Sequence, residues 1–223
     1  MTPLHRHQIA WLSRAGWQRL LARDWDAEAL ACLQHWAEQR LPAVVTRQSD
    51  PMDGEAIALG LCAPGRWRHR RLALHLARAD VLYFDEFPRL GKVVAQLPPS
   101  ARLQARQLAT ALQACCAVAR VYGSHGWQHL TGMDHLRDGS DLDLWIGVHN
   151  AEQADAVAAA LDAFAPPSCR LDGELVFHAG GAVAWREWQA WRSGRVQAVL
   201  VKRLQGAVMA TSMEALEPCE APA

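Results

Sequence analysis

Apolar residues recur at helical spacing early in the chain, after a segment rich in tryptophan and arginine. One stripe of an amphipathic helix is formed by Ala29, Leu30, Leu33, Trp36 and Ala37. Asp26 is suited to cap this helix, because its carboxylate can accept hydrogen bonds from the first backbone N–H groups. Pro42 cannot continue a helix. The pattern therefore predicts one helix between Asp26 and Pro42.

Beyond Pro42 the apolar pattern changes from helical to strand-like. Strands are predicted at 43–47, 55–61 and 71–77. In the third of them Leu72, Leu74 and Leu76 alternate with other residues, as in a sheet with one buried face. Turn residues at 49–54 and 63–65 separate these strands. A helix followed by strands predicts a small α+β domain over residues 1–85.

The remaining chain predicts a second domain over residues 86–210. Its first part is a connector with a short helix, and Ser100 is predicted to cap a long helix. The next elements are a strand at 117–122, a short helix ending at Gly132, a strand from Asp141, a helix from Asn150 ended by Pro166-Pro167, strands at 170–177 and 182–184, a helix at 185–191 and a strand at 196–204. The C-terminal residues are expected to fray.

Composition narrows the class of protein. The chain has 223 residues, 51% hydrophobic and 21% charged, which is typical of a globular protein with one large or two small domains. Lysine plus arginine and aspartate plus glutamate both number 23, and this balance argues against a protein held on nucleic acid by phosphate contacts. No apolar run approaches the roughly 18 residues of a membrane span, and no secretory segment is evident. We expect a cytoplasmic protein without membrane attachment.

The cysteines do not form a metal-binding pattern. They are scattered and include no Cys-x-x-Cys spacing, so a structural zinc site is not expected. We expect buried free thiols at Cys32, Cys62, Cys115, Cys116, Cys169 and Cys219.

Two short segments carry the candidate chemistry. Gly123-Ser124 lies between a predicted strand and a predicted helix. Because glycine tolerates positive φ, bare backbone N–H groups can approach a phosphate there. Asp141 and Asp143 flank Leu142, and the strand period of two places both carboxylates on one face. Their Cα atoms would lie ~7 Å apart, close enough to share one divalent ion or a pair of ions ~3.5–4 Å apart.

Each segment has a structural alternative. Gly-Ser after a strand is also common as an ordinary turn or helix cap, and an Asp-Leu-Asp-Leu stretch can be a half-exposed edge strand. The combination is more specific, because adjacent like charges on one strand face lower stability unless a cation or solvent offsets them. Together the segments predict transfer of a nucleotidyl or phosphoryl group.

Other polar residues are candidates with open alternatives. Arg66, Arg68 and Arg70 could clamp phosphates of a large anionic ligand, with Trp67 stacking on a base, or could lie on a solvated hairpin. Asp172 and Glu174 share one strand face and could add a third carboxylate to a metal site, or form a polar outer face. Lys202 could reach a phosphate or protect a sheet edge from pairing.

The same residues carry a family resemblance. The segment from Arg120 to Leu136 reads Arg-Val-Tyr-Gly-Ser-His-Gly-Trp-Gln-His-Leu-Thr-Gly-Met-Asp-His-Leu, and Ser-Asp-Leu-Asp-Leu starts at Ser140. These segments resemble the malonate decarboxylase holo-acyl-carrier-protein synthases, also called phosphoribosyl-dephospho-CoA transferases (MdcG family). Further similar segments lie at 172–175, 183–187 and 199–202. The Gly-Ser and Asp pair also resemble the wider nucleotidyltransferase superfamily of DNA polymerase β type.

One departure from the superfamily supports the narrower family. The gap from Ser124 to Asp141 is longer than the superfamily usually shows, because it holds the insert Trp127–Gly132. The resemblance implies an α+β protein, in which a small N-terminal α+β domain binds substrate or carrier. A polymerase-β-like nucleotidyltransferase domain, with a mixed sheet flanked by helices, would follow it. His135 stands where the family pattern leads us to expect an aromatic residue.

The resemblance also implies a reaction. The phosphoribosyl-dephospho-CoA part of 2′-(5″-triphosphoribosyl)-3′-dephospho-CoA would be attached to a serine of the acyl carrier subunit of malonate decarboxylase, with release of pyrophosphate. Asp141 and Asp143 would hold Mg²⁺, and Gly123 and Ser124 would anchor the leaving pyrophosphate. Glu174, in preference to Asp172, would complete the metal shell or act as a base. The substrate would also contact Lys202, Arg66, Arg68 and Arg70.

Two other functions share parts of this pattern. An adenylyltransferase acting on a small molecule or a protein with ATP would use the same Gly-Ser turn and Asp pair. A non-catalytic module that binds a carrier protein would keep the fold, but it would have no reason to retain adjacent carboxylates.

Overall fold

The computed structural model describes residues 4–48, 55–164 and 169–216. By the density of contacts, the chain divides into two compact units, Met1–Phe87 with Trp127–Leu136, and Pro88–Gly126 with Arg137–Ala223. Each unit combines helices with a β-sheet, which confirms the α+β class. The functional domains 1–85 and 86–210 stay a prediction, because contact density does not show what each part does. The turn at 49–54, Pro166-Pro167 and the chain end beyond residue 216 lie outside the described residues.

The first unit is built on an antiparallel sheet. Its elements are β1 (Ile9–Leu12), α1 (Arg14–Leu21), α2 (Ala27–Glu38), β2 (Ala43–Val45), β3 (Ala56–Cys62), β4 (Arg71–Ala77) and β5 (Val81–Asp85). The strands pair antiparallel in the order β4-β3-β2-β1-β5. Burial alternates strictly along β4, so Leu72, Leu74 and Leu76 enter the core as predicted. The sequence pattern did not predict β1 and β5.

Helix α2 begins as its sequence predicts. The backbone N–H of Ala29 donates to Asp26 Oδ1 at 2.9 Å, so Asp26 caps the helix. The buried face consists of Ala29, Cys32, Leu33 and Trp36. The helix ends at Glu38, ahead of Pro42.

The second unit is built on a mixed sheet. Its elements are α3 (Leu90–Val93), α4 (Pro99–Ala114), β6 (Ala119–Val121), the start of α5 (Gly123–Thr131), β7 (Leu142–Val148), α6 (Ala151–Asp162), β8 (Leu171–Phe177), β9 (Ala182–Ala184), α7 (Trp185–Arg192), β10 (Val199–Lys202) and β11 (Ala207–Ala210). The strand order is β11-β10-β9-β8-β7-β6. β7 and β8 run parallel, and the other neighbours are antiparallel.

The ends of α4 and α5 test two sequence predictions. The prediction that Ser100 caps the long helix is wrong, because α4 starts at Pro99 and Pro98 occupies the cap position without a side-chain hydrogen bond. Proline suits the first helical position, since it lacks the N–H that would go unpaired there. The predicted helix end at Gly132 is confirmed. Gly132 has φ +69°, and its N–H donates to the carbonyl of Gln128 at 2.9 Å.

The two faces of the mixed sheet differ in polarity. One face is buried and forms a core with residues of α4, α6 and α7. Its strand residues include Leu142, Leu144, Ile146, Leu171, Leu175, Phe177, Val199 and Val201. By strand alternation, the opposite face carries Asp143, Asp172, Glu174 and Lys202. The sheet therefore presents its ionisable side chains on the face opposite the helices.

The prediction of buried thiols is confirmed for some of the described cysteines. Cys32 and Cys169 are buried free thiols as predicted, whereas Cys62 and Cys115 are half-buried and Cys116 is exposed, so full burial is wrong for these three. Cys219 lies outside the described residues. Among the described helices, none combines the length and the apolar character needed to cross a membrane.

Candidate active site

The glycine turn lies directly against the acidic strand. Gly123, at the start of α5, has φ +61°, and a Cβ at this position would lie 1.8 Å from Asp143 Oδ2 and 2.8 Å from Asp143 Cγ. The N–H of Tyr122 donates to the carbonyl of Asp143 at 3.1 Å. Only glycine allows the carboxylate to approach the turn so closely. The structure thus brings the predicted phosphate-binding turn, Gly123-Ser124, next to one predicted acid, Asp143.

The two aspartates of the acidic strand share one environment. Asp141 and Asp143 are half-buried on either side of the fully buried Leu142, as expected for strand alternation. The thiol of Cys169 lies near both carboxylates. Burial is the largest cause that raises the pKa of this thiol, and the charges of Asp141 and Asp143 act in the same direction. By the same alternation, Asp141 and Asp143 lie on one face of the strand.

The register between β7 and β8 determines which further acid lies nearest. Asp143 pairs with Asp172, and Trp145 pairs with Glu174. Paired residues of parallel strands project to the same face, with strands ≈ 4.7–4.9 Å apart. Asp172 is half-buried, and its Oδ1 accepts a hydrogen bond from the N–H of Gly173 at 2.8 Å. The register therefore places Asp172, rather than Glu174, next to Asp143.

Glu174 and Lys202 form an ion pair. Glu174 is only 5% exposed, and its Oε1 accepts a hydrogen bond from Lys202 Nζ at 2.7 Å. The alternative that Lys202 protects a sheet edge is wrong, because β10 lies between β9 and β11. A role for Lys202 in binding phosphate stays a prediction.

Two of the three candidate arginines, Arg68 and Arg70, pair with acids at the start of α2. Arg68 donates through Nε and Nη2 to Glu28 at 2.9 Å each, and Arg70 Nη1 donates to Asp26 Oδ1 at 2.7 Å. The hydrogen bond from Arg70 is the main cause that lowers the pKa of Asp26 to about 2. The guanidinium of Arg66 lies 3.5 Å from the ring centroid of Trp67. A phosphate clamp formed by these arginines stays a prediction.

Trp67 cannot stack on a base as the sequence suggested. It is only 8% exposed, and its ring contacts His35 and Trp36 at centroid distances of 5.4 Å and 6.0 Å. Arg66 lies over the ring. Trp67 therefore belongs to the core of the first unit.

The carboxylates of Asp141 and Asp143 suit a metal ion that also binds phosphate. Among the residues that the structure describes, no group of three or more His, Cys, Asp and Glu side chains is placed to hold a metal ion. Mg²⁺, however, is usually bound by one or two carboxylates together with waters and substrate phosphates. Asp141 and Asp143 fit this smaller donor set, and both offer the oxygen ligands that Mg²⁺ prefers.

Two residues near the acids were missed by sequence reasoning. Arg170 Nε lies 3.9 Å from Asp141 Oδ1. The signal for it was its place two residues before Asp172, on the same strand face. His125 is 3% exposed. Burial is the largest cause that lowers its pKa, and a hydrogen bond to the backbone of Ser140 opposes this. His125 thus links the start of α5 to the loop before Asp141. No sequence pattern around His125 predicts this contact.

Comparison with known proteins places both parts of the chain in one family. Residues 5–87 match the model of the family "Phosphoribosyl-dephospho-CoA transferase MdcG N-terminal domain", and residues 89–213 match that of the corresponding C-terminal domain. No solved structure matches the chain significantly.

Curated relatives carry the same name. A protein of Bradyrhizobium diazoefficiens named phosphoribosyl-dephospho-CoA transferase is 34% identical, over 93% of this chain and 90% of its own. Proteins of the same name from Xanthomonas euvesicatoria and Pseudomonas putida are 33% and 32% identical, over 90% and 83% of this chain and 91% and 88% of their own. The chain therefore belongs to the MdcG family of phosphoribosyl-dephospho-CoA transferases.

Proposed function

We propose that this protein transfers the phosphoribosyl-dephospho-CoA group to a serine of the acyl carrier subunit of malonate decarboxylase. The donor is 2′-(5″-triphosphoribosyl)-3′-dephospho-CoA, and pyrophosphate is released. The contact between Gly123 and the Asp143 carboxylate carries the proposal, because it brings the proposed phosphate-binding turn next to one acid of the pair. The names of the relatives support the group that is transferred. The first unit is proposed to bind substrate or carrier.

The reaction is a displacement at the α-phosphorus of the donor. The serine oxygen forms a bond to this phosphorus, and the bond to the oxygen bridging the α- and β-phosphates breaks. The electron pair of that bond moves onto the bridging oxygen, which leaves with pyrophosphate. Asp172, next to Asp143 in the register, is proposed to accept the proton of the serine hydroxyl. This assignment replaces Glu174, whose carboxylate pairs with Lys202.

The start of α5 is proposed to hold the leaving group. The backbone N–H groups at Gly123 and Ser124 lie at the positive end of the helix, where phosphate oxygens bind favourably. Asp141 and Asp143 would hold Mg²⁺, which when bound neutralises phosphate charge and lowers the pKa of a hydroxyl near it. Glu174 would hold Lys202 in place for a further phosphate contact.

The test is transfer itself. The protein is mixed with Mg²⁺, the triphosphoribosyl donor and the apo carrier protein, and mass spectrometry follows the carrier while a coupled assay follows pyrophosphate. The proposal expects the carrier to gain the mass of the phosphoribosyl-dephospho-CoA group. Labelling from ATP would instead support adenylylation, and carrier binding without transfer would support a binding module.

The acid pair provides the matched variants. Asp143→Asn and Asp141→Asn should each lower the transfer rate by roughly a hundredfold or more, because a ligand charge is lost where phosphate charge must be neutralised. The urea midpoint should stay equal or rise slightly, since repulsion between like charges is removed. Asp162→Asn, at the end of α6, serves as the control and should transfer normally. Near-normal transfer by Asp143→Asn would refute the proposed metal role.

A further inference from the structure

Arg170 lies beside one acid of the pair, Asp141, where a strand begins. It directly precedes β8, and its carbonyl accepts a hydrogen bond from the N–H of Leu142 at 2.8 Å. The backbone of Arg170 is therefore fixed next to the acidic strand. Its Nε lies 3.9 Å from Asp141 Oδ1, and its side chain is 71% exposed. An arginine with a fixed backbone thus extends a largely exposed guanidinium beside Asp141.

Within the part of the chain that the structure describes, this guanidinium lacks the hydrogen bonds of a structural arginine. Arg192 shows such contacts in the same unit, because its Nε and Nη2 donate to both oxygens of Asp155 at 2.8–3.2 Å. The separation of 3.9 Å between Arg170 and Asp141 exceeds a hydrogen-bond distance. An exposed ion pair of this kind contributes little to stability. Stability alone therefore does not account for the place of Arg170.

The strand order determines on which side of β7 Arg170 lies. β7 lies between β6 and β8. Gly123 and Ser124 follow β6, whereas Arg170 precedes β8. The antiparallel β6 and the parallel β8 bring both segments to the same end of β7. If the leaving group of a polyphosphate lies at the glycine turn, an α-phosphoryl group on the β8 side of β7 meets Arg170 and Asp172.

The charges at this end of the sheet favour a cation there. Asp141, Asp143 and Asp172 are acidic, and Lys202 Nζ lies 2.7 Å from Glu174. Arg186, at the start of α7, donates to the carbonyl of Leu171 at 2.8 Å. Arg186 is thus held by the backbone of β8, and Arg170 is the exposed guanidinium beside Asp141 that can meet a phosphoryl group approaching the carboxylates. A guanidinium offers a planar pair of N–H donors to phosphate oxygens.

We propose that Arg170 is a catalytic residue that binds the non-bridging oxygens of the transferred α-phosphoryl group. The inference rests on the proposed function and names a contact within that site. As the serine oxygen bonds to phosphorus and the bond to the bridging oxygen breaks, negative charge spreads over these oxygens. Arg170 donates two hydrogen bonds to them, and the contact strengthens in the transition state.

The experiment compares Arg170→Ala with Arg192→Ala in single-turnover transfer by the full-length protein. Arg170→Ala should lower the transfer rate about a hundredfold or more, while the KM for the donor and inhibition by pyrophosphate change less than about threefold. Its urea midpoint should not move. Guanidinium chloride at millimolar concentration should restore part of the rate of Arg170→Ala. Arg192→Ala should lower the urea midpoint and keep the transfer rate.

The outcomes separate this inference from the proposed function. If the wild type transfers the group and Arg170→Ala does so within about threefold of its rate, the catalytic role is wrong and the proposed function stands. If the loss appears as weaker inhibition by pyrophosphate, Arg170 binds the leaving group and the inference is overturned. If the rate falls only together with the urea midpoint and guanidinium restores nothing, the role is structural. If the wild type transfers nothing, the proposed function fails and the inference fails with it.

Discussion

Gly123 is the residue at which the absence of a side chain matters most. Its φ is +61°, and the carboxylate of Asp143 occupies the space that a Cβ would need. A larger residue would therefore cause two separate problems, backbone strain and displacement of an acid. Gly132, just after α5, has a similar φ of +69° with no atom within 4 Å of an ideal Cβ. Alanine variants at Gly123 and Gly132 therefore separate the effect of backbone strain from that of displacing Asp143.

Gly123→Ala should lose transfer activity through Asp143. The Cβ would force the carboxylate away from the turn, because a separation of 1.8 Å cannot be accommodated. We expect a fall in transfer rate of roughly a hundredfold or more, together with a stability loss of about 1 kcal/mol from the positive φ. Transfer assays and urea unfolding measure the two effects.

Gly132→Ala is the matched control. It should lose a similar amount of stability and keep its transfer rate, because its Cβ meets nothing. Equal loss of activity in both variants would mean that backbone strain alone is responsible, and that the contact with Asp143 has no special part.

At this scale the sequence could predict single residues but not their partners. Gly123, Asp141 and Asp143 could be chosen as candidates from spacing, and their roles stay a prediction. The choice between Asp172 and Glu174 does not follow from spacing, because it depends on the register of two strands joined by a whole helix. The contact between Arg170 and Asp141 depends on the same register.

At the scale of elements, β8 is the strand that holds the site together. It pairs in parallel with β7 over its full length, from Leu142 with Leu171 to Val148 with Phe177. Within it, Gly173 faces the core at a point where a Cβ would lie 2.4 Å from the Leu144 carbonyl oxygen and 3.1 Å from Leu144 Cβ. A carbonyl that lies in a paired strand cannot move without changing the pairing.

Gly173→Ala should therefore destabilise the sheet. Overpacking of a buried position typically costs about 1–3 kcal/mol, and we expect a value in the upper half of this range. Urea unfolding gives the free energy. Gly147→Ala in β7 is the control, because its Cβ would meet the Trp145 ring at an ordinary 3.6 Å. Equal stability of the two variants would contradict the close approach at Gly173.

The elements that the sequence missed share a weak pattern. β1 has four residues and is buried at Ile9, Ala10 and Leu12, so it shows no clear alternation. β11 exposes Ala207, Val208 and Met209, so it shows no buried face. Longer strands with one buried face, such as β4 and β7, were predicted. Alternation reveals a strand only when its two faces differ.

At the scale of the whole molecule, the α+β class and the order of the main elements could be predicted from the sequence. The pairing of strands that lie far apart in the chain could not. The parallel pairing of β7 with β8 needs the crossover through α6. The placement of Trp127–Leu136 with the first unit breaks the simple division by sequence. Within that segment, Thr131 Oγ1 lies 2.9 Å from His135 Nε2, and the His135 ring stacks on Trp127 at a centroid distance of 6.2 Å. His135 thus fills the place expected for an aromatic residue.

His135 also makes the stability of the whole protein depend on pH. Burial is the main cause that lowers its pKa from 6.5 to about 4; the charge of His69 acts in the same direction and that of Asp134 opposes it. An unfolded histidine titrates near 6.5. Between these values the unfolded chain binds a proton that the folded chain does not, so stability falls as pH falls through this window. The loss from this residue is at most about 3 kcal/mol.

Urea unfolding at pH 7.5 and 4.5 measures this dependence, with His135→Phe as the variant. Phenylalanine keeps a ring against Trp127 and removes the titrating group, so the variant should lose less stability than the wild type between the two pH values. It should be less stable at pH 7.5, because the contact with Thr131 is gone. His75→Gln, on an exposed position of β4, should follow the wild type. If His135→Phe and wild type lose equal stability on acidification, His135 is protonated equally in the folded and unfolded chains, and burial does not hold it neutral.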